Sequence, residues 1–390
     1  MKKRILSLLL AGLLSAGLAA CGSQPAEDVD STETVVPEET TAAGVAPSDL
    51  KIGLILAGNP ADAYDKNHIE GMRSACESLG LDYDAQVDVR SAVAEDSSCA
   101  EVVAALAEEG CQVIFADSLG HETYLTDAAG DHPEIQFCQA AGYQCASDNL
   151  DNTHNYYARI DQARFLSGIA AGLKTRTNKL GFVASMPYTE VISGMTAFYL
   201  GARSVNPDVT MLVNYTGAWS DAEAESANAQ ALIDQSCDVI SQHSNTTAPA
   251  VTAQINGVFF VGYNEDMVSV APDAALVSAR INWGLYYEYA LDCLLSGREI
   301  DQDWCGDYAQ GASCLTPFNE AILAEGTRQA VDEAAAGIAD GALQVFAGPL
   351  HGVDADGHEL NLAEGEAYAE NETVSAPSFP YIVDGISVLS

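Results

Sequence analysis

Residues 50–80 read Leu-Lys-Ile-Gly-Leu-Ile-Leu-Ala-Gly-Asn-Pro-Ala-Asp-Ala-Tyr-Asp-Lys-Asn-His-Ile-Glu-Gly-Met-Arg-Ser-Ala-Cys-Glu-Ser-Leu-Gly. Leu50 to Leu56 is a short, nearly unbroken apolar run, the pattern of a strand buried on both faces. A polar loop follows. His68 to Leu79 then carries Ile69, Met72, Cys76 and Leu79 at helical spacing and stops at Gly80. A buried strand, a polar loop and an amphipathic helix make the repeating unit of a parallel α/β sheet.

The same unit recurs downstream. Strands are predicted at Ala85 to Val89, Val113 to Ala116, Ile135 to Cys138, Lys179 to Ser185, Thr210 to Tyr215, Val239 to Ile240, Gly257 to Tyr263 and Ala275 to Ser278. Helices are predicted at Ser97 to Gly110, Thr123 to Gly130, Asp161 to Lys174, Thr189 to Arg203, Ala222 to Gln235, from near Pro249, and at Trp283 to Leu295. The pattern runs twice, with Asn152 to Ala158 as the expected junction. This implies an α/β chain of two doubly wound parallel sheets, with ligand held at the carboxyl ends of their strands.

The loops after those strands carry aromatic, amide, hydroxyl, carboxylate and imidazole groups. Aromatic faces suit a flat ring gripped from two sides, and Asn and Asp side chains suit ring nitrogens or sugar hydroxyls. The candidate ligand-binding residues are Tyr64, Asp65, Asn67, His68, Ser118, Gly120, His121, Trp219, His243, Asn264, Asp266 and Trp283. Asn264 and Asp266 follow a buried strand ending at Tyr263, where they could hold the N–H groups of a heterocycle.

Composition narrows the partners. With 16 basic and 56 acidic side chains the formal charge is −40. Such a chain repels nucleic acid and anionic lipid headgroups, so no nucleic-acid partner is expected. Neutral or cationic small ligands are easier to hold than nucleotides. The hydrophobic share of 48% supplies a globular core, and residues 50–390 are enough for two domains rather than one.

The first residues are a targeting signal by pattern. Lys2, Lys3 and Arg4 precede an apolar run from Ile5 to Leu18, and Leu18-Ala19-Ala20-Cys21 places small residues before a cysteine. This reads as a signal peptide at 1–20 with a lipobox, too short to span a bilayer. Diacylation of Cys21 would anchor the mature protein to the cell membrane on its extracytoplasmic face. Residues 21–49, rich in Glu, Thr, Pro, Ala and Ser, read as a disordered tether.

Nine cysteines follow Cys21, and no C-x-x-C pair occurs among them. Cys305 with Cys314 and Cys138 with Cys145 are the local candidates for disulfides, while an odd count leaves at least one thiol unpaired. His351 to His358, with Asp354, Asp356 and Gly357, reads as a hairpin turn rather than a metal loop. No nucleophile elbow, Walker loop or H-E-x-x-H occurs. No metal and no cofactor are expected, and a binding protein is expected rather than an enzyme. A secreted hydrolase using paired carboxylates is the weaker alternative.

Several segments carry a family resemblance. They are Tyr64 to Gly71, Phe115 to His121, Ile160 to Gly168, Val183 to Pro187, Val191 to Gly194, Ser241 to His243 and Ile281 to Gly284. In order and spacing the chain resembles the basic-membrane-protein family of ABC-transporter substrate-binding lipoproteins, whose studied members bind purine nucleosides or bases. The resemblance implies a two-lobed type I periplasmic-binding-protein fold, with one lobe at 50–157 and 283–340 and the other at 158–282 and 341–390. It implies ABC permease and ATPase partners and a purine nucleoside or base as ligand. Tyr64 resembles the aromatic that packs on the purine, Trp219 its partner from the other lobe, and Asn264 and Asp266 the polar residues that hold base or ribose. Two departures stand out. Ala63-Tyr64-Asp65 stands where nucleoside-binding members carry Ser-Phe-Asn, and Arg280 or Asn282 stands near the position of their lysine. Both fall on the ribose contacts and leave a free base or another heterocycle open. A receptor-type sensor for another heterocycle or a sugar is the alternative within the same fold.

Overall fold

The computed structural model describes residues 44–370 and 374–389. The signal segment, Cys21 and residues 22–43 of the tether lie outside the described residues. The chain begins with β1 (Ile52–Ile55), α1 (Ala63–Leu79), α2 (Tyr83–Gln86), β2 (Val87–Arg90), α3 (Ser98–Glu108), β3 (Val113–Ala116), α4 (Glu122–Asp131), β4 (Gln136–Ala140), α5 (Cys145–Asp148) and β5 (Thr153–Ala158). It continues with α6 (Ile160–Lys174), β6 (Lys179–Ala184), α7 (Thr189–Val205), β7 (Thr210–Tyr215), α8 (Ala222–Asp234), β8 (Val239–His243), α9 (Ala248–Asn256), β9 (Phe259–Tyr263) and β10 (Ala275–Ile281). It ends with α10 (Trp283–Ser296), β11 (Asp303–Gly306), β12 (Ser313–Leu315), α11 (Thr327–Ala339), β13 (Leu350–Val353), β14 (Glu359–Leu362), β15 (Ile382–Val383) and β16 (Ile386–Val388).

Two large sheets organise these elements. The first has the order β11-β5-β4-β3-β1-β2 and is wholly parallel. The second has the order β12-β10-β9-β8-β6-β7-β16, parallel except at β12. In both, the first strand of the lobe has a neighbour on each side: Leu54 lies between Val89 and Phe115, and Phe182 between Val213 and Ser241. Burial on both faces explains the unbroken apolar runs that marked these strands. A small antiparallel sheet, β14-β13-β15, completes the chain.

The first core gathers Ile52, Leu54, Phe115, Tyr156, Trp283, Tyr286 and Tyr287. The second gathers Phe182, Met195, Phe198, Val239 and Leu276 beneath α6 and α7. Glycines let those two helices touch. A Cβ at Gly201 would sit 1.8 Å from the carbonyl oxygen of Phe165, so only glycine fits.

Three sequence expectations change. The segment at 152–158 is no junction: Thr153 to Ala158 forms β5, inside the first sheet, and Arg159 alone leads into α6. The second portion of the first lobe ends at Gly306, well before 340. β12 pairs with β10, Cys314 opposite Arg280, and Val331, Ala334 and Ile338 of α11 belong to the second core. The chain therefore crosses between lobes at Arg159, at Asn282 and through 307–312. Helix α1 also begins at Ala63, five residues before His68. Its first turns carry Asp65, Asn67 and His68, polar yet buried between the lobes, so the apolar period begins late.

The nine cysteines after Cys21 are free thiols, including both candidate pairs. Cys145 Sγ instead donates to the Gln302 carbonyl. The segment from His351 to His358 spans the end of β13 and the turn at 354–358 that leads into β14. There the Asp354 carboxylate accepts from the backbone N–H groups of Asp356 and His358. No helix of the described residues is long and apolar enough to cross a membrane.

Candidate functional site

A cavity of about 450 Å³ lies between the carboxyl ends of the two parallel sheets, within the range of small-molecule sites. Its first wall is built where β1 and β3 end. The Ala57 N–H donates to Asp117 Oδ1 at 2.9 Å, and the Gly58 N–H donates to Asp65 Oδ1 at 2.8 Å. Gly58 is required by this approach, because a Cβ there would lie 2.6 Å from Asp65 Oδ2. Tyr64, one residue into α1, donates its hydroxyl to the Asp117 carbonyl at 2.8 Å. Ser118 donates to Glu95. Glu122 accepts from the N–H groups of Tyr143 and Gln144 and so sets the loop that carries Tyr143.

Two carboxyls share the floor of this wall. Asp117 is 1% exposed, and its Oδ2 meets no backbone or hydroxyl donor. Burial first, and then the neighbouring Asp65 charge, push its carboxyl well above the usual carboxylate range. Burial also raises Asp65, to about 6, against the opposing Gly58 N–H. Like charges this close in a poorly hydrated site hold a proton between them to a higher pH than either carboxyl would alone.

The second wall comes from β6, β7, β8 and β9. Trp219 lies 5.8 Å from Tyr188 and 6.3 Å from His243, centroid to centroid, and His243 lies 4.6 Å from Tyr263. The Asn245 N–H donates to the Trp219 carbonyl, fixing the loop after β7 against the loop after β8. Behind Tyr263 stands Arg164, fully buried, its guanidinium 3.6 Å from the ring centroid, with Nη1 donating to the Gln242 carbonyl. Burial lowers Arg164 to about 10, which leaves it charged. Glu190 accepts from the Tyr157 hydroxyl at 2.5 Å and lies 3.5 Å from His243 Nε2. Burial alone would raise Glu190. His243, the Tyr157 hydroxyl and the Arg164 charge outweigh burial and hold it below the usual range.

The lobes meet around α1. The Ala63 N–H donates to the Asn245 carbonyl, Tyr157 of β5 reaches Glu190 of α7, and Lys66 pairs with Glu265 at 2.5 Å.

Of the candidate residues, the cavity collects Tyr64, Asp65, Ser118, Gly120, Trp219 and His243. The others lie elsewhere. His68 stacks on Trp283 at 4.2 Å inside the first core and bonds the Tyr287 hydroxyl through Nδ1. Burial drives its pKa well below the usual value, so it is a neutral core imidazole. His121 is buried behind the wall, bonded to the Val93 carbonyl. Asn67, Asn264 and Asp266 line a separate cavity of about 150 Å³ on the other side of α1. There Asn67 binds the Ile281 carbonyl and the Arg280 Nε, while Asp266 Oδ1 accepts the Val268 N–H of its own turn.

The cavity is also lined by Glu95, Tyr143, Tyr188 and Glu190, which the sequence reading missed, and by Asp117 and Tyr263, which stand in its strand-end loops but not among its candidates. The signal was present for most of them. Asp117 directly follows β3, and Tyr263 is the last residue of β9. Tyr143 and Tyr188 follow β4 and β6, two strand ends that received no candidate.

A family model described as ABC transporter substrate-binding protein PnrA-like (Bmp) matches residues 51–307. A purine-binding protein of Brucella abortus is 31% identical over 335 residues, 86% of this chain and 92% of that protein. A Haloferax volcanii protein provisionally named as an ABC transporter glucose-binding protein is 30% identical over 364 residues, 90% of each chain. A nucleoside-binding ABC transporter protein of Lactococcus lactis is 23% identical over 246 residues, 62% of this chain and 65% of that protein. Two solved solute-binding proteins of ABC transporter systems share the fold at 18% identity. That from Conexibacter woesei has a TM-score of 0.61 and covers 76% of this chain and 98% of its own. That from Aeropyrum pernix has a TM-score of 0.64 and covers 76% and 93%. With a family model across its interlobe cleft and relatives aligned over most of its length, this chain belongs to the Bmp family of PnrA-like ABC transporter substrate-binding proteins, which bind solutes and are not enzymes.

Proposed function

We propose that this protein captures a purine, as base or nucleoside, for an ABC importer, closing its two lobes on the ring and presenting the closed form to the permease. The observation that carries this reading is the pairing of aromatics across the cavity. Tyr64 and Tyr143 come from the first lobe, Tyr188, Trp219 and Tyr263 from the second, and Asp65, Asp117, Glu190 and Asn245 share the same lining. A flat ring would gain its contact area from the aromatic faces, and its N–H groups would meet the carboxyls of the first wall. The purine-binding relative supports the same ligand class. Substrate-binding proteins of ABC transporters work on the extracytoplasmic side. We propose further that Cys21 is the lipid anchor there, with Cys21→Ala expected to release the protein from the membrane fraction.

A sugar is the second reading, favoured by the glucose-binding name of the Haloferax relative and by a wall rich in carboxylates, which suit hydroxyl donors. Calorimetry against adenine, hypoxanthine, adenosine, inosine, ribose and glucose separates the two. Purine binding is expected. Binding of glucose or ribose with no response to any purine would replace the first reading with the second.

A further inference from the structure

The purine reading leaves open the charge and the edge of the ring, and the first wall speaks to both. The ionisable side chains lining the cavity are acidic, aromatic or imidazole: Asp62, Asp65, Glu95 and Asp117 on one wall, Glu190 and His243 on the other, with the tyrosines. Neither Lys nor Arg lines it among the described residues. Arg164 is spent on the second wall, behind Tyr263 and against the Gln242 carbonyl. On the first wall Asp117 Oδ2 is buried against the Asp65 carboxyl with no N–H or hydroxyl donor, and each carboxyl has one oxygen already held by a backbone N–H of the β1 turn. Two carboxyls fixed side by side in the lining of the cavity, each with one oxygen committed to the turn, have no partner beyond that turn except each other. The complement of that pair is a planar fork of two N–H groups carrying positive charge.

We propose that the cleft holds its heterocycle as a cation: an amino-substituted ring, such as an aminopurine, protonated on the ring nitrogen next to its amino group, with that amidinium edge on Asp65 and Asp117 and its faces between Tyr64 and Trp219. This rests on the purine reading and narrows it to aminopurines. The proton has two sources that lead to one bound state. Where Asp65 and Asp117 share a proton, it passes to the ring nitrogen and leaves two carboxylates against one amidinium; where the pair is fully ionised, the ring nitrogen takes its proton from solvent to reach the same state. The groups facing the pair agree in sign. They are Asp62 and Tyr64 on α1, Glu95 from the loop after β2, Tyr287 from α10, and Glu190 with a neutral His243 across the cavity. None of them is a cation that would oppose a protonated ring. The aromatic walls add cation–π attraction, which a neutral oxopurine would not draw on.

Adenine and 3-deazaadenine test this, because they share a shape and an amino edge while the deaza compound is more basic at the same ring nitrogen. The purified protein is titrated with each, and with hypoxanthine, by calorimetry at a pH where all three are neutral in solution. The expected order is 3-deazaadenine at least about tenfold tighter than adenine, with hypoxanthine weakest. The absorption spectrum of bound 3-deazaadenine is expected to be that of its protonated form. Asp117→Asn keeps the acceptor for the Ala57 N–H and should return both the spectrum and the affinity ratio to those of a neutral ligand. Asp65→Asn should do the same if the first variant fails to fold. Equal affinities with a neutral bound spectrum would overturn the cation and leave the purine reading standing. No binding of any of the three would overturn both.

Discussion

The two walls of the cleft hold their carboxylates in opposite ways. On the second wall, Glu190 is answered from within the protein: the Tyr157 hydroxyl and His243 reach it, and the Arg164 charge lies behind the same aromatic layer. On the first wall, Asp65 and Asp117 face each other, and backbone N–H groups, those of Ala57 and Gly58 in one turn foremost, are what answers them. The Glu190 charge of the second wall is thus compensated before ligand arrives. The first is held in a state that a donor-rich ligand relieves. Buried carboxylates are stable when paired and costly when crowded. A binding site can therefore use one wall as a rigid face and the other as the reader of ligand chemistry.

The largest effect is expected where the charge compensation of the second wall is broken. Arg164→Leu removes a fully buried guanidinium and leaves Glu190 and the Gln242 carbonyl without it. Urea unfolding should show a loss of about 3–5 kcal/mol. A loss below about 1 kcal/mol would mean that the second wall needs no charge behind it.

Next comes the aromatic face of that wall. Trp219→Ala should weaken binding of the heterocycle by about 1–3 kcal/mol, the scale of one lost stack. The same experiment sharpens the contrast between two tryptophans. Trp219 lines the cavity, whereas Trp283 is 2% exposed and stacked on His68. Ligand-dependent fluorescence should therefore vanish with Trp219→Phe and survive Trp283→Phe.

The crowded wall predicts a pH dependence of the opposite sign from an ordinary ion pair. The native pKa of Asp65, about 6, lies above the unbound value of 3.8, so the folded state holds the proton more tightly. This contribution to stability is complete below the lower value and is lost as pH rises through the higher one. Asp65→Asn keeps an acceptor for the Gly58 N–H and should raise the stability of the ligand-free protein at pH 7, on the order of 1–3 kcal/mol. It should also flatten the decline in thermal midpoint between pH 4 and 6. A variant that is less stable than the parent at pH 7 would show that the pair is not crowded.

The smallest effect belongs to the bridge between walls. Lys66 is 41% exposed and Glu265 19%, so Lys66→Met should change stability by less than about 1 kcal/mol. Raising the salt concentration should shrink even that difference. A larger loss would make this bridge, and not the aromatic layer, the main tie between the lobes.

Much of this molecule was legible in the chain. The strands at Ile52–Ile55 and Val113–Ala116 announced themselves because burial on both faces leaves no polar side chain in them. Tyr64 and Trp219 were legible as cleft residues because parallel strands put their following loops at one edge. His68 and Trp283 were misplaced by the same rule. Each stands near a strand end, but α1 and α10 turn these two rings toward each other into the first core. Asn264 and Asp266 satisfied the rule too, yet the body of α1 separates them from the main cavity. Sequence proximity to a strand end does not say on which side of a helix a side chain emerges.

By itself the sequence determined the alternation of strands and helices, the doubling of that pattern and the absence of a basic surface, because burial period and composition are local properties of the chain. Only the tertiary structure decided which acids meet. Asp65 and Asp117 lie on different elements and are brought to one floor by the turn after β1, whose two N–H groups hold one oxygen of each. Likewise Arg164 of α6 reaches Tyr263 of β9 only because both pack beneath the same sheet edge. Charge compensation and crowding are set by distance in space, and spacing along the chain does not carry that distance.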